Sequence, residues 1–239
     1  MSSSPRKSLA QIASGHDTDK AGNAGYIDYY ERNFESLREL PLRLLELGVL
    51  KGGSLLTWEE YFPRATIVGL DEDEVVLEGK HERIRTYQGK QEDTALLSRI
   101  GGESAPEGFD IIIDDASHIG ALARASFWHL FDHHLKPGGI YAIEDWGTGY
   151  WQSWPDGAEF RAQPESPRSL GSRISAKFAR VDPQFSRHNF GMVGLIKELV
   201  DECGMEDITH AKYGSPPSRT SRIQDMTLRL GLALIRKRA

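Results

Sequence analysis

The chain has 239 residues, of which 39% are hydrophobic and 27% charged, and its formal net charge at pH 7 is −6. This composition predicts a globular protein whose core needs no disulfide or metal staple. No basic block stands out, so no nucleic-acid partner is expected, and the single cysteine, Cys203, fits a reducing, cytoplasmic location. Neither a signal-like start nor a membrane-length apolar run is visible, so no membrane association is expected.

Strand and helix patterns alternate through the first two thirds of the chain. Residues 1–40 are predicted to be a polar tail followed by a helix at about 25–39. Short apolar runs predict strands, and apolar residues at helical spacing predict the helices between them. The predicted strands are 42–47, 66–70, 84–87, 109–113 and 140–143, and the predicted helices are 54–61, 93–100 and 121–135. This alternation predicts an α/β fold with a doubly wound parallel sheet.

The segment 146–187 breaks this rhythm, because it is polar and rich in proline and serine. Long irregular segments in compact domains are usually functional, so we predict that it folds over a substrate as a lid. A helix at 190–203 and two strands at 208–213 and 228–236 are predicted after it. The link between these strands has little helical character, which predicts antiparallel pairing. We expect one domain spanning 1–239.

Acidic residues follow two apolar runs directly. Asp114 and Asp115 follow the strand at 109–113, and Glu144 and Asp145 follow the strand at 140–143. Ligands of parallel sheets collect at the carboxyl ends of the strands, so these acids are predicted to share one edge.

Taken singly, each of these acids is explained as well by a helix cap or a solvated side chain. Together they predict a site for Mg²⁺, which prefers oxygen ligands. Asp115, Glu144 and Asp145 are the predicted metal ligands. His118, three residues after Asp115, is predicted to face the same way on a helical turn and to act as a general base.

A glycine-containing loop follows the first strand, and an acid ends the second. Gly48, Gly52 and Gly53 allow a ligand to approach the backbone closely, and Asp71 can accept hydrogen bonds from both hydroxyls of a ribose. Leu50 stands where the dinucleotide motif G-x-G-x-x-G needs a glycine, and no phosphate-binding G-x-x-x-x-G-K-[ST] is present. A nucleoside without phosphates is therefore the better ligand.

These features together resemble the class I S-adenosylmethionine-dependent methyltransferases over about residues 42–145. The resemblance implies a seven-stranded Rossmann-like sheet whose last strand is antiparallel, with S-adenosylmethionine as cofactor. It implies that Glu46 and Gly48 lie beside the methionine part of the cofactor, Asp71 binds the ribose and Gln91 lies near the adenine. The complete predicted cofactor site is Glu46, Gly48, Ser54, Asp71, Gln91 and Asp114.

The acidic cluster resembles that of a smaller group, the metal-dependent sugar O-methyltransferases of macrolide and methylmannose-polysaccharide types. By that resemblance Asp115, Glu144 and Asp145 bind Mg²⁺ and His118 is the base. The implied function is Mg²⁺-dependent methylation of a sugar hydroxyl on a glycoside, an oligosaccharide or a polysaccharide precursor. The segment Asp17-Thr18-Asp19-Lys20 resembles a Thr-Asp-Lys segment that lies near the cofactor in this group.

Other functions remain open at this point. A metal-dependent methyltransferase for catechol-like phenols fits the same cluster, although a phenol needs less help to ionise, so an essential His118 argues against it. Asp71 alone permits a nicotinamide-dependent oxidoreductase, and a nucleoside-binding or scaffold domain has no use for the cluster. The expected partner is a sugar-containing small molecule or oligosaccharide, and a homo-oligomer is compatible with the sequence.

Overall fold

A seven-stranded sheet with one reversed strand forms the centre of the protein. The computed structural model describes residues 6–22, 25–162, 185 and 187–239. The strands are β1 (Arg43–Leu47), β2 (Thr66–Asp71), β3 (Ile84–Gln88), β4 (Phe109–Asp114), β5 (Leu135–Ile143), β6 (Ile223–Leu228) and β7 (Ala233–Lys237). Their order is β3-β2-β1-β4-β5-β7-β6, and β7 runs antiparallel to β5 and β6 while the other pairs are parallel. The predicted fold is therefore confirmed.

Helices cover both faces of this sheet. They are α1 (Leu9–Ala13), α2 (Tyr26–Phe34), α3 (Gly53–Tyr61), α4 (Thr94–Ser104), α5 (Gly120–His133), α6 (Pro155–Ala162) and α7 (Gly191–Ile208), with 3-10 turns at Asp19–Ala21, Glu35–Leu37 and Trp146–Tyr150. The core on one face includes residues of α1, α2 and α3, and the core on the other includes residues of α4, α5 and α7. Covered on both sides, β1 and β4 are almost wholly buried, as expected of central parallel strands. Within the described ranges, no helix has the length and apolarity that a membrane crossing requires.

The N-terminal tail is more ordered than predicted. Residues 9–13 form α1, whose start is closed by a capping box between Ser8 and Gln11. Leu9 and Ile12 of this helix are buried in the core. A five-residue helix has too few apolar repeats to be recognised by periodicity, so its stability comes from this packing.

The two C-terminal strands were predicted at the wrong positions. The predicted strand at 208–213 is wrong, because α7 continues through Gly204 to Ile208. The predicted strand at 228–236 is also wrong, since it joins the end of β6, a tight turn at 229–232 and β7. Strand β6 lies at the sheet edge with mostly exposed side chains, so its sequence carries little apolar signal. The predicted antiparallel pairing of the last two strands is confirmed.

Part of the predicted lid at 146–187 can be described. It begins with the 3-10 turn at Trp146–Tyr150 and continues into α6. Residues 163–184 and 186 lie outside the described residues. The lid itself therefore stays a prediction.

Candidate active site

The predicted acids do meet at one edge of the sheet. Asp114 and Ile143 are register partners at the ends of β4 and β5, which brings Asp115 close to Glu144 and Asp145. The amide of Asp115 donates to the carbonyl of Leu47 (2.9 Å), so the end of β1 lies beside them. Three neighbouring strands thus deliver their carboxyl ends to one place, as parallel sheets do.

A buried lysine occupies the centre of this edge. Lys20 is 2% exposed. Its Nζ donates to Asp115 Oδ2 and to Glu144 Oε1 (2.9 Å) and lies 3.3 Å from Glu46 Oε1. We call Lys20, Glu46, Asp115 and Glu144 the inner cluster. Burial alone would lower the pKa of Lys20, but the three carboxylates outweigh it and raise that pKa.

Acids outnumber cations in the inner cluster. Burial raises the pKa of Glu46, of Asp115 and of Glu144, and the single ammonium of Lys20 opposes this shift at all three. Among the described residues, Lys20 is the one lysine or arginine within ion-pair distance of these carboxylates. The acids are therefore short of positive charge, a situation that a bound cation relieves.

Two tyrosines of α2 reach the same edge. The hydroxyl of Tyr30 donates to Glu144 Oε1 (2.7 Å), and the hydroxyl of Tyr26 donates to Asp145 Oδ1 (2.8 Å). The two tyrosines are four residues apart and share one face of the helix. Burial and the neighbouring carboxylates raise the pKa of both hydroxyls, so they remain protonated donors.

A second group of three side chains lies next to the inner cluster. One potential ligand atom each from Asp115, His118 and Asp145 lies within 4.8 Å of the others. His118 Nε2 is 3.8 Å from Asp115 Oδ1 and 3.9 Å from Asp145 Oδ2, too far for a hydrogen bond to either. We call these three residues the outer trio. Its two carboxylates and imidazole match the donors that divalent cations take in proteins.

Backbone strain is concentrated in the outer trio. His118 has φ 51° and Asp145 has φ 50°, so both adopt the left-handed conformation that residues with a Cβ seldom take. Such residues cost about 1–3 kcal/mol each and cluster at functional sites. The helical turn predicted to align His118 with Asp115 is wrong, because α5 begins only at Gly120. The left-handed turn brings the two side chains together instead.

The sequence-based ligand set and the observed geometry share two members. Asp115 and Asp145 are together in the outer trio. Glu144, the third predicted ligand, points inward to Lys20 and Tyr30 and is 1% exposed. His118, which is predicted to be the base, places its imidazole next to both of these carboxylates. The two acids and the excess of negative charge fit a divalent cation, and the imidazole lies beside them.

A cavity of about 430 Å³ opens beside the outer trio. This volume is within the range of small-molecule sites. Its lining includes Gly48, Ser54, Asp71 and Gln91 from the predicted cofactor site, together with Asp115 and His118. Gly48 has φ 80°, and a Cβ there would lie 2.3 Å from the carbonyl oxygen of Asp115. Only glycine therefore fits where the loop after β1 passes the backbone of Asp115.

Asp71 organises the loop that forms one wall of the cavity. Its Oδ2 accepts hydrogen bonds from the amides of Val49 and Leu50 (2.8 Å each), and its Oδ1 accepts from the amide of Asp73 (3.0 Å). Asp71, the residue predicted to bind the ribose, therefore lines the cavity and also holds the glycine loop in place through these hydrogen bonds. Its remaining lone pairs are what it offers to a ligand.

Two predicted cofactor residues do not line the cavity. Glu46 is buried and accepts from Ser54 Oγ (2.7 Å). Asp114 is turned into the core, where it accepts from Gln91, Ser126 and Tyr141. Burial raises the pKa of Asp114 to about 6, although the hydrogen bonds oppose the shift. Direct cofactor contacts by these residues stay predictions.

Residues that the sequence analysis gave no role complete the site. Lys20 was predicted only as part of a segment near the cofactor, and Tyr26 and Tyr30 of α2 were assigned to no site. Position in the sequence gave no sign that Lys20 and the two tyrosines contact carboxylates about 90 to 125 positions away. A lone lysine between acids was the one available signal, and it is equally typical of a solvated surface.

Comparisons with known proteins agree with this geometry. No family model matches the chain. The chain is 40% identical over 236 residues to mycinamicin VI 2''-O-methyltransferase of Micromonospora griseorubida, covering 94% of this chain and 50% of that protein. It is 31% identical over 243 residues to demethylmacrocin O-methyltransferase of Streptomyces fradiae, covering 98% and 54%.

A solved structure is also similar over almost the whole chain. The MycE methyltransferase from the mycinamycin biosynthetic pathway, in complex with Mg and SAH, superposes with a TM-score of 0.74 at 33% identity, covering 98% of this chain and 55% of that one. The chain thus spans about half the length of the curated relatives it matches.

The chain has the fold of the class I S-adenosylmethionine-dependent methyltransferases, as predicted, and is similar to such proteins over almost its whole length. More particularly, the chain is homologous to O-methyltransferases whose names specify macrolide and tetracenomycin glycosides. The predicted resemblance is thereby confirmed, and the predicted cofactors agree with the Mg and SAH of the solved relative. The enzyme activity of this chain is a proposal, taken up below.

Proposed function

We propose that this chain transfers the methyl group of S-adenosylmethionine to a sugar hydroxyl of a small-molecule glycoside, with a divalent cation held by Asp115 and Asp145 beside His118. The observation that carries the proposal is the shared position of two features. Asp115 and His118 belong to the outer trio and also line the cavity, so a cation and a nucleoside donor there would be neighbours. The names of the homologues support a glycoside acceptor.

The two bound groups have separate tasks. S-adenosylmethionine supplies a methyl group on a sulfonium, and a divalent cation supplies positive charge that lowers the pKa of a hydroxyl beside it. Asp115 and Asp145 would hold the cation. Lys20 and Tyr26 fix these carboxylates by donating to the oxygens that face away from His118.

His118 is the proposed general base. Its Nε2 has no hydrogen bond to Asp115 or Asp145 and is therefore available to accept the proton of the acceptor hydroxyl. The acceptor oxygen then forms a bond to the methyl carbon as the bond from that carbon to sulfur breaks, leaving S-adenosylhomocysteine. Alignment of oxygen, carbon and sulfur supplies much of the rate.

Transfer of labelled methyl groups tests this proposal. The chain is incubated with methyl-labelled S-adenosylmethionine and a panel of macrolide glycosides, tetracenomycin-type glycosides, oligosaccharides and catechols, before and after treatment with a chelator. We expect label on a glycoside, lost with chelator and restored by Mg²⁺. Label on catechols alone would favour the phenol methyltransferase, and transfer that ignores the chelator would overturn the metal.

A further inference from the structure

Two helices on one face of the sheet begin in direct backbone contact. A Cβ on Gly120, the first residue of α5, would lie 1.8 Å from the carbonyl carbon of Gly191, the first residue of α7. Gly191 also has φ 60°, a conformation that favours glycine. Neither helix start can therefore carry a side chain, and their amide groups point into one shared space.

One buried carboxylate from the segment after β5 fills that space. Asp156, in the first turn of α6, is 6% exposed. Its Oδ2 accepts hydrogen bonds from the amide of Gly120 (2.8 Å) and from the amide of Met192 (2.7 Å). A single oxygen thus satisfies an unpaired amide of each helix and places negative charge at two positive helix ends.

The same segment holds the turn that carries His118. Thr148 Oγ1 donates to the carbonyl of His118 (3.3 Å), and Trp154 Nε1 donates to the carbonyl of Ser117 (3.3 Å). The ring of Trp154 lies 5.9 Å from the ring of His118. With the bond that Gly120 donates to Asp156, three hydrogen bonds in all join residues 148–156 to the backbone of residues 117–120.

These hydrogen bonds stabilise a turn whose backbone conformation is unfavourable by itself. A left-handed residue with a Cβ relaxes to an ordinary conformation unless its surroundings hold it. His118 is such a residue, and Gly120 lies two positions after it. The charge-assisted bond to Asp156 is the strongest of the three restraints, because hydrogen bonds to an ionised acceptor are about twice as strong as neutral ones.

We propose that Asp156 is a positioning residue for methyl transfer: it locks the starts of α5 and α7 together and thereby keeps His118 in its left-handed turn. The proposal rests on the function proposed above, in which His118 accepts the proton. The hydrogen bonds of Asp156 go to the amides of Gly120 and Met192 and not to His118 or the carboxylates of the outer trio, so its effect must travel through the backbone of residues 117–120.

The test compares Asp156→Asn with Glu159→Gln. Glu159 is exposed on the same helix, so its variant makes the same charge change without touching the junction. Asn keeps the size of Asp156 but accepts more weakly and brings an amide group against two amides. We expect kcat to fall about 10- to 100-fold in Asp156→Asn, with the KM values for donor and acceptor retained, because a small misplacement of a reacting group has this effect. Glu159→Gln should match the unmodified chain.

The imidazole resonances of His118 separate positioning from loss of fold. They are identified by their disappearance in His118→Gln. We expect them to shift in Asp156→Asn while those of His129 and His133 on α5 stay in place. A fall in kcat that only follows the unfolded fraction, with the His118 resonances unmoved, would overturn the proposal.

A different variant, His118→Gln, tests the proposed function separately from the role of Asp156. Full activity of His118→Gln would overturn the assigned base, and the role of Asp156 with it. An inactive His118→Gln together with a fully active Asp156→Asn would overturn the positioning role alone.

Discussion

Two groups of buried acids in this protein are built in opposite ways. Glu202 on α7 faces two guanidinium groups: Arg219 donates to both of its oxygens (2.7 and 2.5 Å), and Arg222 donates through its amide (2.9 Å) and Nε (3.3 Å). In the inner cluster, one ammonium, that of Lys20, serves three carboxylates. Arg222 also donates to Asp132 Oδ2 (2.9 Å), so cations match acids around Glu202, whereas they fall short in the inner cluster.

The pKa values follow this difference. Burial would raise the pKa of Glu202, but the hydrogen bonds from Arg219 and Arg222 outweigh it and lower that pKa to about 2. Burial raises the pKa of Asp115 and Glu144 despite Lys20. A carboxylate with its charge fully matched stabilises the fold, whereas acids left short of charge are prepared for a further cation. This difference supports a structural role for Glu202 and the binding role proposed for the sheet edge.

The largest expected effect comes from removing an outer ligand. Asp145→Asn should lower chelator-sensitive methyl transfer by about 10³-fold, because a bound cation contributes several kcal/mol to stabilising developing charge. Asp145 is the cleanest choice, since Asp115 also anchors Lys20. Rates with labelled donor measure the effect, and Asp201→Asn, an exposed acid on α7, is the control. Equal rates in the two variants would contradict the binding role.

Removing the lysine of the inner cluster should destabilise the fold. Lys20→Met leaves buried acids unpaired, which is expected to cost about 3–5 kcal/mol in the free energy of unfolding. Denaturant titration measures it, with Lys51→Met as the control because Lys51 is exposed and paired only at the surface. Added Mg²⁺ should stabilise Lys20→Met more than the unmodified chain. An equal response to Mg²⁺ would show that the cluster is not short of charge.

Asp114, beside the same edge, predicts a fall in stability with rising pH. Its folded pKa is raised from 3.8 to about 6, so the folded state holds more protons than the unfolded state between these values. This group therefore lowers the free energy of unfolding by about 3 kcal/mol as the pH rises from about 4 to about 6. The free energy of unfolding, measured against pH for the unmodified chain and for Asp114→Asn, isolates the contribution of Asp114. A difference between them that does not change with pH would contradict it.

Glu202 predicts the opposite sign and a smaller effect. Its folded pKa is lowered from 4.5 to about 2, so its contribution is complete above pH 4.5 and is lost as the pH falls toward 2. Because the two arginines are partly exposed, solvent screening reduces the contribution to about 2 kcal/mol. Acid unfolding of Glu202→Gln should begin from a lower stability and decline less steeply. Methyl transfer at neutral pH should be unchanged.

The sequence alone was sufficient to predict the five parallel strands and the meeting of their acids at one sheet edge. Long apolar runs place β1, β4 and β5, and the acids that follow them must meet at one edge. Local patterns carry no information on side-chain direction, so the contact between Lys20 and Glu144 could not be predicted, and the metal-ligand role of Glu144 stays a prediction. The left-handed turns at His118 and Asp145 are imposed by packing, as is the junction at Asp156. Strand β6 was missed because an exposed edge has a weak apolar pattern.

The central claim is that Asp115 and Asp145 of the outer trio bind a divalent cation. Isothermal titration of the unmodified chain, Asp145→Asn and Glu202→Gln with Mg²⁺, and with Mn²⁺ as a spectroscopic substitute, tests it most directly. We predict saturable binding of one ion per chain that is lost in Asp145→Asn and retained in Glu202→Gln. Absence of binding in the unmodified chain, or equal binding in all three, would contradict the account.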